Sequence, residues 1–129
     1  MLRTTVSVEA LREMLDHGEP VTVLDIRPFS ERVEWAIPGS THSDVYEALK
    51  AQDPRALEGI ELSSSQPVVT VCGAGKTSLI AAEQLRTKGF EAASLAGGMK
   101  AWSLAWNVAE VPVERSKARV FQLRRTGKG

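Results

Sequence analysis

The chain has 129 residues, 43% of them hydrophobic and 25% charged, which suits one globular domain and holds no apolar run long enough to span a bilayer. Its one cysteine, Cys72, excludes an internal disulfide, and with only His17 and His42 as further soft ligands a structural zinc site is not expected. The net charge of zero is uneven: residues 1–113 carry ten Lys/Arg against fifteen Asp/Glu, and residues 114–129 carry six against one.

In chain order, Ser7 can cap a helix over Val8–His17, with Leu11, Met14 and Leu15 on one face and Gly18 as the stop. Val21–Leu24 is a β-branched run ending in Asp25 and reads as a buried strand. Pro28 opens a short helix to about Trp35, and Pro38-Gly39 is a turn. A second helix fits Asp44–Ala51, with Val45 and Leu49 inward, and Ser63–Pro67 is a loop. Val68–Val71 is a second buried strand. Thr77–Lys88 then forms a helix with Leu79, Ile80, Ala82 and Leu85 as its apolar positions and Gly89 as its stop. Ala92–Leu95 is a short strand, and Gly97-Gly98 opens a last short helix carrying Met99, Trp102 and Leu104. Strands alternating with helices predict a mostly parallel α/β sheet with helices on both faces.

After Ala105 the pattern changes. Val108–Val113 contains Pro112 and is at best an edge strand, while Arg119–Arg124 alternates polar and apolar like a new strand. The division expected is a domain over 5–105 and a basic tail over 106–129. The tail reads as a solvated linker or the start of something larger. It lacks any nucleic-acid-binding motif, so no nucleic acid or membrane partner is expected. The first residues lack a signal-peptide core, so a reducing cytoplasmic setting is expected.

The chemistry lies in Val68-Val69-Thr70-Val71-Cys72-Gly73-Ala74-Gly75-Lys76-Thr77-Ser78, a strand, a tight loop and a helix start. Cys72 falls at the C-terminal end of a strand, where open α/β sheets place their sites. Gly73, Ala74 and Gly75 are small enough for backbone N–H groups to curl toward one point and form an anion cradle at a helix N-terminus. Lys76 adds positive charge, and Thr77 and Ser78 add hydroxyl donors. Such a cradle favours a reactive thiolate at Cys72 over an inert core thiol. Gly75-Lys76-Thr77 matches the end of a nucleotide-binding P-loop, but its first glycine would fall on Thr70. A cysteine phosphatase of the known families needs Arg where Ser78 stands. A six-residue sulfur-transfer loop from Cys72 to Thr77 fits without repair.

Four motifs in order then resemble the rhodanese-like family over about residues 5–105. Leu24-Asp25-Ile26-Arg27 with Glu31 is similar to its D-V-R-x-x-x-E, and Ile37-Pro38-Gly39-Ser40 to its I-P-G-A. Cys72 to Ser78 is similar to C-x-x-G-x-[RT]-S, and Leu95-Ala96-Gly97-Gly98-Met99-Lys100-Ala101-Trp102 to L-x-G-G-x-x-A-W. The resemblance implies a doubly wound α/β domain and two-step transfer of sulfane sulfur through a Cys72 persulfide, with no metal or organic cofactor. A small donor (thiosulfate, mercaptopyruvate or a persulfide) would load Cys72, and a thiol or cyanide would unload it. The alternative is a regulatory or sulfur-delivery module with little turnover alone.

Two departures matter. Gly73 and Thr77 replace loop arginines common in the family, which leaves Lys76 as the main cation facing a donor and brings the loop closer to the C-G-x-G-x-T of mercaptopyruvate sulfurtransferases. Trp35-Ala36 replaces the G-H before I-P-G-A. Asp25 and Arg27 are expected to pin the following loop by ion pairing, with Arg27 a candidate for the pocket rim. His42 is expected to be a satisfied polar loop residue, with a proton shuttle as the other reading. Trp102, Met14 and Met99 read as core. Residues 120–129 resemble the opening strand of a metallo-β-lactamase-fold domain in rhodanese–hydrolase fusions, which implies a fused or partner domain of that kind.

Overall fold

The computed structural model describes residues 4–110, the last five by backbone alone. Among these the elements run β1 (Thr5–Val6), α1 (Val8–Asp16), β2 (Thr22–Asp25), α2 (Phe29–Arg32), β3 (Thr41–His42), α3 (Tyr46–Lys50), β4 (Val68–Val71), α4 (Thr77–Thr87), β5 (Ala92–Leu95) and α5 (Gly98–Glu110). The five strands form one sheet in the order β1-β5-β4-β2-β3, and every pairing is parallel. The α/β architecture expected from the alternation is therefore present. The chain leaves β2 for β3 on one side and returns to β4 on the other. That reversal puts the topological switch point between β2 and β4, and Cys72 follows β4 directly.

Side-chain alternation along the strands builds two cores. Val23, Val69, Val71, Ala93 and Leu95 face α1 and α5, where Leu11, Met99 and Trp102 meet them. Leu24, Val68, Cys72 and Ala92 face the other way, against Leu49, Ala81, Ala82 and Leu85. Thr70 and Ser94 fall on that second face by the same period of two, fully buried beneath α4.

Local signals set most element ends. The Ser7 side chain accepts from Ala10 N–H at 3.0 Å and starts α1. The turn after α1 places Gly18 in the left-handed region, at φ +67°. Several expectations are corrected. The two-residue strands β1 and β3 are too short to leave a periodic signal. Helix α2 ends at Arg32 rather than near Trp35, and α3 spans only Tyr46–Lys50. Leu79 and Leu104 are exposed, Met14 is half-buried, and Ala81 takes the core position on α4. Helix α5 continues to Glu110, so Val108–Glu110 are helical rather than the start of an edge strand. Residues 111–113, the alternating segment Arg119–Arg124 and the stretch 120–129 lie outside the described residues. No helix among the described residues is long and apolar enough to cross a membrane.

A buried ion cluster closes the β2 end of the sheet. Arg27 donates from Nη2 to Asp25 Oδ2 at 2.8 Å and from Nε to Oδ1 at 3.0 Å, and the Arg27 backbone N–H also reaches Oδ1. Arg32 Nη1 lies 3.4 Å from the same carboxylate and donates to Ser40 Oγ at 2.8 Å. Burial alone would raise the Asp25 pKa. The side-chain and backbone hydrogen bonds from Arg27, with the charges of Arg27 and Arg32, outweigh it and hold the carboxyl below its ordinary value of 3.8. A carboxyl with a depressed folded-state pKa adds stability above the ordinary carboxylate range and loses it as pH falls through the folded value. Urea unfolding across acidic pH should show that loss in the wild type and a flatter profile in Asp25→Asn. Asp25→Ala strands a buried guanidinium and should cost about 3–5 kcal/mol at neutral pH.

Candidate active site

The loop after β4 turns its backbone around the Cys72 sulfur. Cys72 is 2% exposed, and its Sγ accepts from Gly75 N–H at 3.1 Å and from Ser78 N–H at 3.3 Å. The Ser78 hydroxyl lies 3.3 Å from Sγ. Ser78 is the second residue of α4, and Lys76 at the N-cap position offers no side-chain bond. The sulfur therefore occupies the place of a capping oxygen and takes a helix N–H that would otherwise lack a partner. Among the described residues the N–H groups of Ala74, Lys76 and Thr77 have no protein partner, and all three residues line the adjoining cleft. Of the loop expected from the sequence to form an anion cradle, Gly75 and Ser78 are the residues whose N–H groups reach Sγ.

Two glycines permit the geometry. Gly75 has φ +97°, and a Cβ there would lie 2.9 Å from Gly97 N. Gly98 has φ +59°, and a Cβ there would lie 2.4 Å from the Cys72 carbonyl oxygen. This close approach lets Met99 N–H donate to Cys72 O at 2.8 Å and Lys100 N–H to Gly73 O at 3.0 Å. The start of α5 is thereby fastened to the loop.

Beneath the sulfur lies a buried hydroxyl pair. Ser78 Oγ and Ser94 Oγ are 2.6 Å apart, and both residues are fully enclosed. The Thr70 hydroxyl donates to the Ser78 carbonyl at 2.7 Å and ties α4 to β4. Above the sulfur opens a cleft of about 520 Å³, lined by Cys72, Gly73, Ala74, Lys76 and Thr77 from the loop. Glu31, Tyr46, Lys50, Ile80 and Lys100 complete the wall. Three ammonium groups from three separate segments face it. Lys50 Nζ lies 5.9 Å from the Tyr46 ring centroid. The Glu31 carboxylate stands 3.9 Å from where a Cβ on Gly73 would sit.

All six loop residues from Gly73 to Ser78 named from the sequence surround Cys72, five of them on the cleft or the sulfur itself and Ser78 beneath it. Arg27 does not join them, which corrects its placement on the rim. It is 3% exposed, bound to Asp25, and donates from Nη2 to Trp35 O at 2.7 Å. His42 donates from Nε2 to the Arg27 carbonyl at 2.7 Å and serves the loop, not the cleft. Sequence reasoning missed Lys50, Lys100 and Ser94. Lys76 is thus one of three cleft cations, and the expectation of a single main cation is corrected. Lys100 sits inside a recognised motif, but its direction depends on the α5 contact with the loop. Lys50 carried no local signal. Among the described residues no cluster of His, Cys, Asp and Glu could hold a metal.

A parallel α/β domain with a cysteine at the switch point, capped by its own loop and facing a cationic cleft, defines a cysteine-centred anion site. The comparisons then give the family: the rhodanese-like domain model matches residues 7–105, and the chain belongs to that family. The chain is 27% identical over 99 residues to YrkF of Bacillus subtilis, named as a sulfur carrier, covering 76% of this chain and half of YrkF. It is 27% identical over 100 residues to YtwF of the same organism, named as a sulfurtransferase, covering 75% of this chain and 87% of YtwF. Among solved structures, the human single-domain sulfurtransferase TSTD1 aligns with a TM-score of 0.64 at 29% identity, covering 80% of this chain and 97% of that one.

The close approach at Gly98 generates a test. Gly98→Ala forces a methyl into the Cys72–Gly73 backbone and should destabilise the fold by about 2–4 kcal/mol. Thermal melts should show the loss, and alkylation of Cys72 should become faster as the loop lifts off α5.

Proposed function

We propose that Cys72 carries sulfane sulfur as a persulfide and passes it to a thiol or cyanide. The observation that supports this best is the pair of backbone N–H donors on Sγ, with the Ser78 hydroxyl 3.3 Å away, at the floor of a cleft with three lysines. The thiolate attacks the sulfane sulfur of the donor, an S–S bond forms to Cys72, and the donor's own bond to that sulfur breaks. The leaving group, sulfite for thiosulfate, departs with the electron pair. An acceptor thiolate or cyanide then attacks the outer sulfur and returns Cys72 to its thiolate. The two steps exchange one sulfur between nucleophiles and need no external oxidant. The free N–H groups of Ala74, Lys76 and Thr77 are suited to the outer sulfur, whose charge lies one atom beyond Sγ.

A second reading, sulfur delivery to a partner or fused domain, draws support from two exposed apolar residues. Phe29 and Val33, at the start and the C-cap of α2, are each 61% exposed, and the same short helix carries Glu31 of the cleft wall. Exposed apolar side chains on a segment that reaches the cleft suit a macromolecular acceptor better than a small one. A partner of metallo-β-lactamase fold stays within this reading.

Mass spectrometry after incubation with thiosulfate, mercaptopyruvate or a low-molecular-weight persulfide should show a gain of about 32 Da, absent in Cys72→Ser. No gain with any donor would sink the transfer reading. Fast turnover with free cyanide would favour the small-acceptor form over delivery. Among the described residues Glu31 is the one carboxylate on the cleft wall, and it opposes a dianionic donor. Glu31→Gln should raise the second-order rate of Cys72 persulfidation by thiosulfate about three- to tenfold, and Lys100→Ala should lower it by a similar factor.

A further inference from the structure

We infer that Ser94, on β5 and out of reach of any substrate, is a positioning residue that aims the Ser78 hydroxyl at the Cys72 sulfur. The inference comes from following each hydroxyl hydrogen. Ser94 is 0% exposed, and the one partner of its side chain among the described residues is Ser78 Oγ at 2.6 Å. If Ser78 donated to Ser94, the Ser94 hydrogen would point at nothing, and a buried donor left unpaired costs free energy. Ser94 must therefore donate to Ser78. The Ser78 hydrogen is then free for Cys72 Sγ, 3.3 Å away.

The chain of donors has one sense: Ser94 to Ser78 to sulfur. With the N–H groups of Gly75 and Ser78, it brings three hydrogens onto Sγ. Every hydrogen is matched when the sulfur is an anion. A neutral thiol adds a third hydrogen to a row with two contacts: Ser78 Oγ can accept from the thiol and from Ser94 together, and one hydrogen of the row then lacks a partner within it. The buried pair thus selects the charged sulfur without touching it. The placement follows from the strand period. Ser94 lies on the face of β5 that meets α4, and Ser78 is in the first turn of that helix.

The inference deepens the reading of Cys72 as a reactive sulfur, and alkylation tests it without any transfer step. The rate of Cys72 alkylation by iodoacetamide, followed against pH, should have its midpoint displaced upward in Ser94→Ala. At neutral pH the rate should fall about three- to tenfold, with the alkaline plateau unchanged. Thr70→Val removes the bond to the Ser78 carbonyl and serves as the structural comparison: it should lower the melting temperature and leave the midpoint in place. Because Ser94 acts through Ser78, adding Ser94→Ala to Ser78→Ala should move the midpoint no further. An unmoved midpoint in Ser94→Ala, a uniform rate change at every pH, or an additive double variant would each overturn the inference. Persulfidation that fails in a wild type whose Ser94→Ala variant shifts as expected would count against sulfur transfer alone.

Discussion

The sulfur of Cys72 does two jobs with one set of hydrogen bonds. It ends the first turn of α4 by accepting Ser78 N–H, and it presents its remaining surface to the cleft. A helix start needs an acceptor at this point, and an oxygen side chain is the usual one. Sulfur is a poor neutral acceptor, so the cap works best when the sulfur is charged. Helix stability and nucleophile activation are therefore coupled. The packing of α4 against β4 and β5 keeps Ser78 beside Sγ, while the Thr70 bond to the Ser78 carbonyl fastens the helix without touching the sulfur. A loop of six residues can keep this geometry only because Gly75 and Gly98 let two backbone segments approach closer than a Cβ allows.

The Asp25 cluster plays the matching role on the other side of the switch point. Arg27 and Arg32 converge on one carboxylate and reach on to Trp35 O and Ser40. His42 reaches back to Arg27 O. These bonds span residues 25 to 42, a stretch whose regular structure is one short helix and a two-residue strand. Ile26 and Ile37 are its buried apolar anchors, and the loop between them takes its shape from the polar ones. Its shape matters because it brings Glu31 over Gly73 and leaves Phe29 and Val33 exposed. A substitution in the cluster would reach the cleft through loop position, with no charge in direct contact with Cys72.

Much of this was legible in the sequence, and the unread part has a physical pattern. Val68–Val71 and Ala92–Leu95 read correctly because a strand buried on both faces is a continuous run of apolar or small residues between polar breaks. The turn of the loop around Cys72 was legible because its residues are contiguous in the chain. Helix α4 was misread at Leu79, where the helical period alone did not distinguish the sheet-facing Ala81 from an exposed leucine. Strands β1 and β3 gain their identity only from their neighbours β5 and β2. Arg27 was half legible: its pairing with Asp25 followed from spacing, but its burial depended on Trp35 O, eight residues away. Ser94 looked like an ordinary strand serine, since its partner is sixteen residues distant and on another element.

The cations show how the same electrostatic end can be met from different parts of a fold. Gly73 and Thr77 stand where the family often places loop arginines, and from the loop alone the site looks poor in positive charge. The folded cleft recovers three ammonium groups, Lys76 from the loop, Lys50 from the end of α3 and Lys100 from the first turn of α5. A guanidinium in the loop would hold an anion in a fixed, two-pronged geometry; lysines on separate elements attract charge without fixing its orientation. Such a cleft discriminates weakly between anionic donors of different shape. Discrimination then passes to the sulfur, whose two backbone donors are fixed by the loop and the start of α4. The narrow part of the site is the point of chemistry, and the broad part is the approach to it. Under the proposed transfer, this division suits a sulfur approached in turn by a donor and an acceptor.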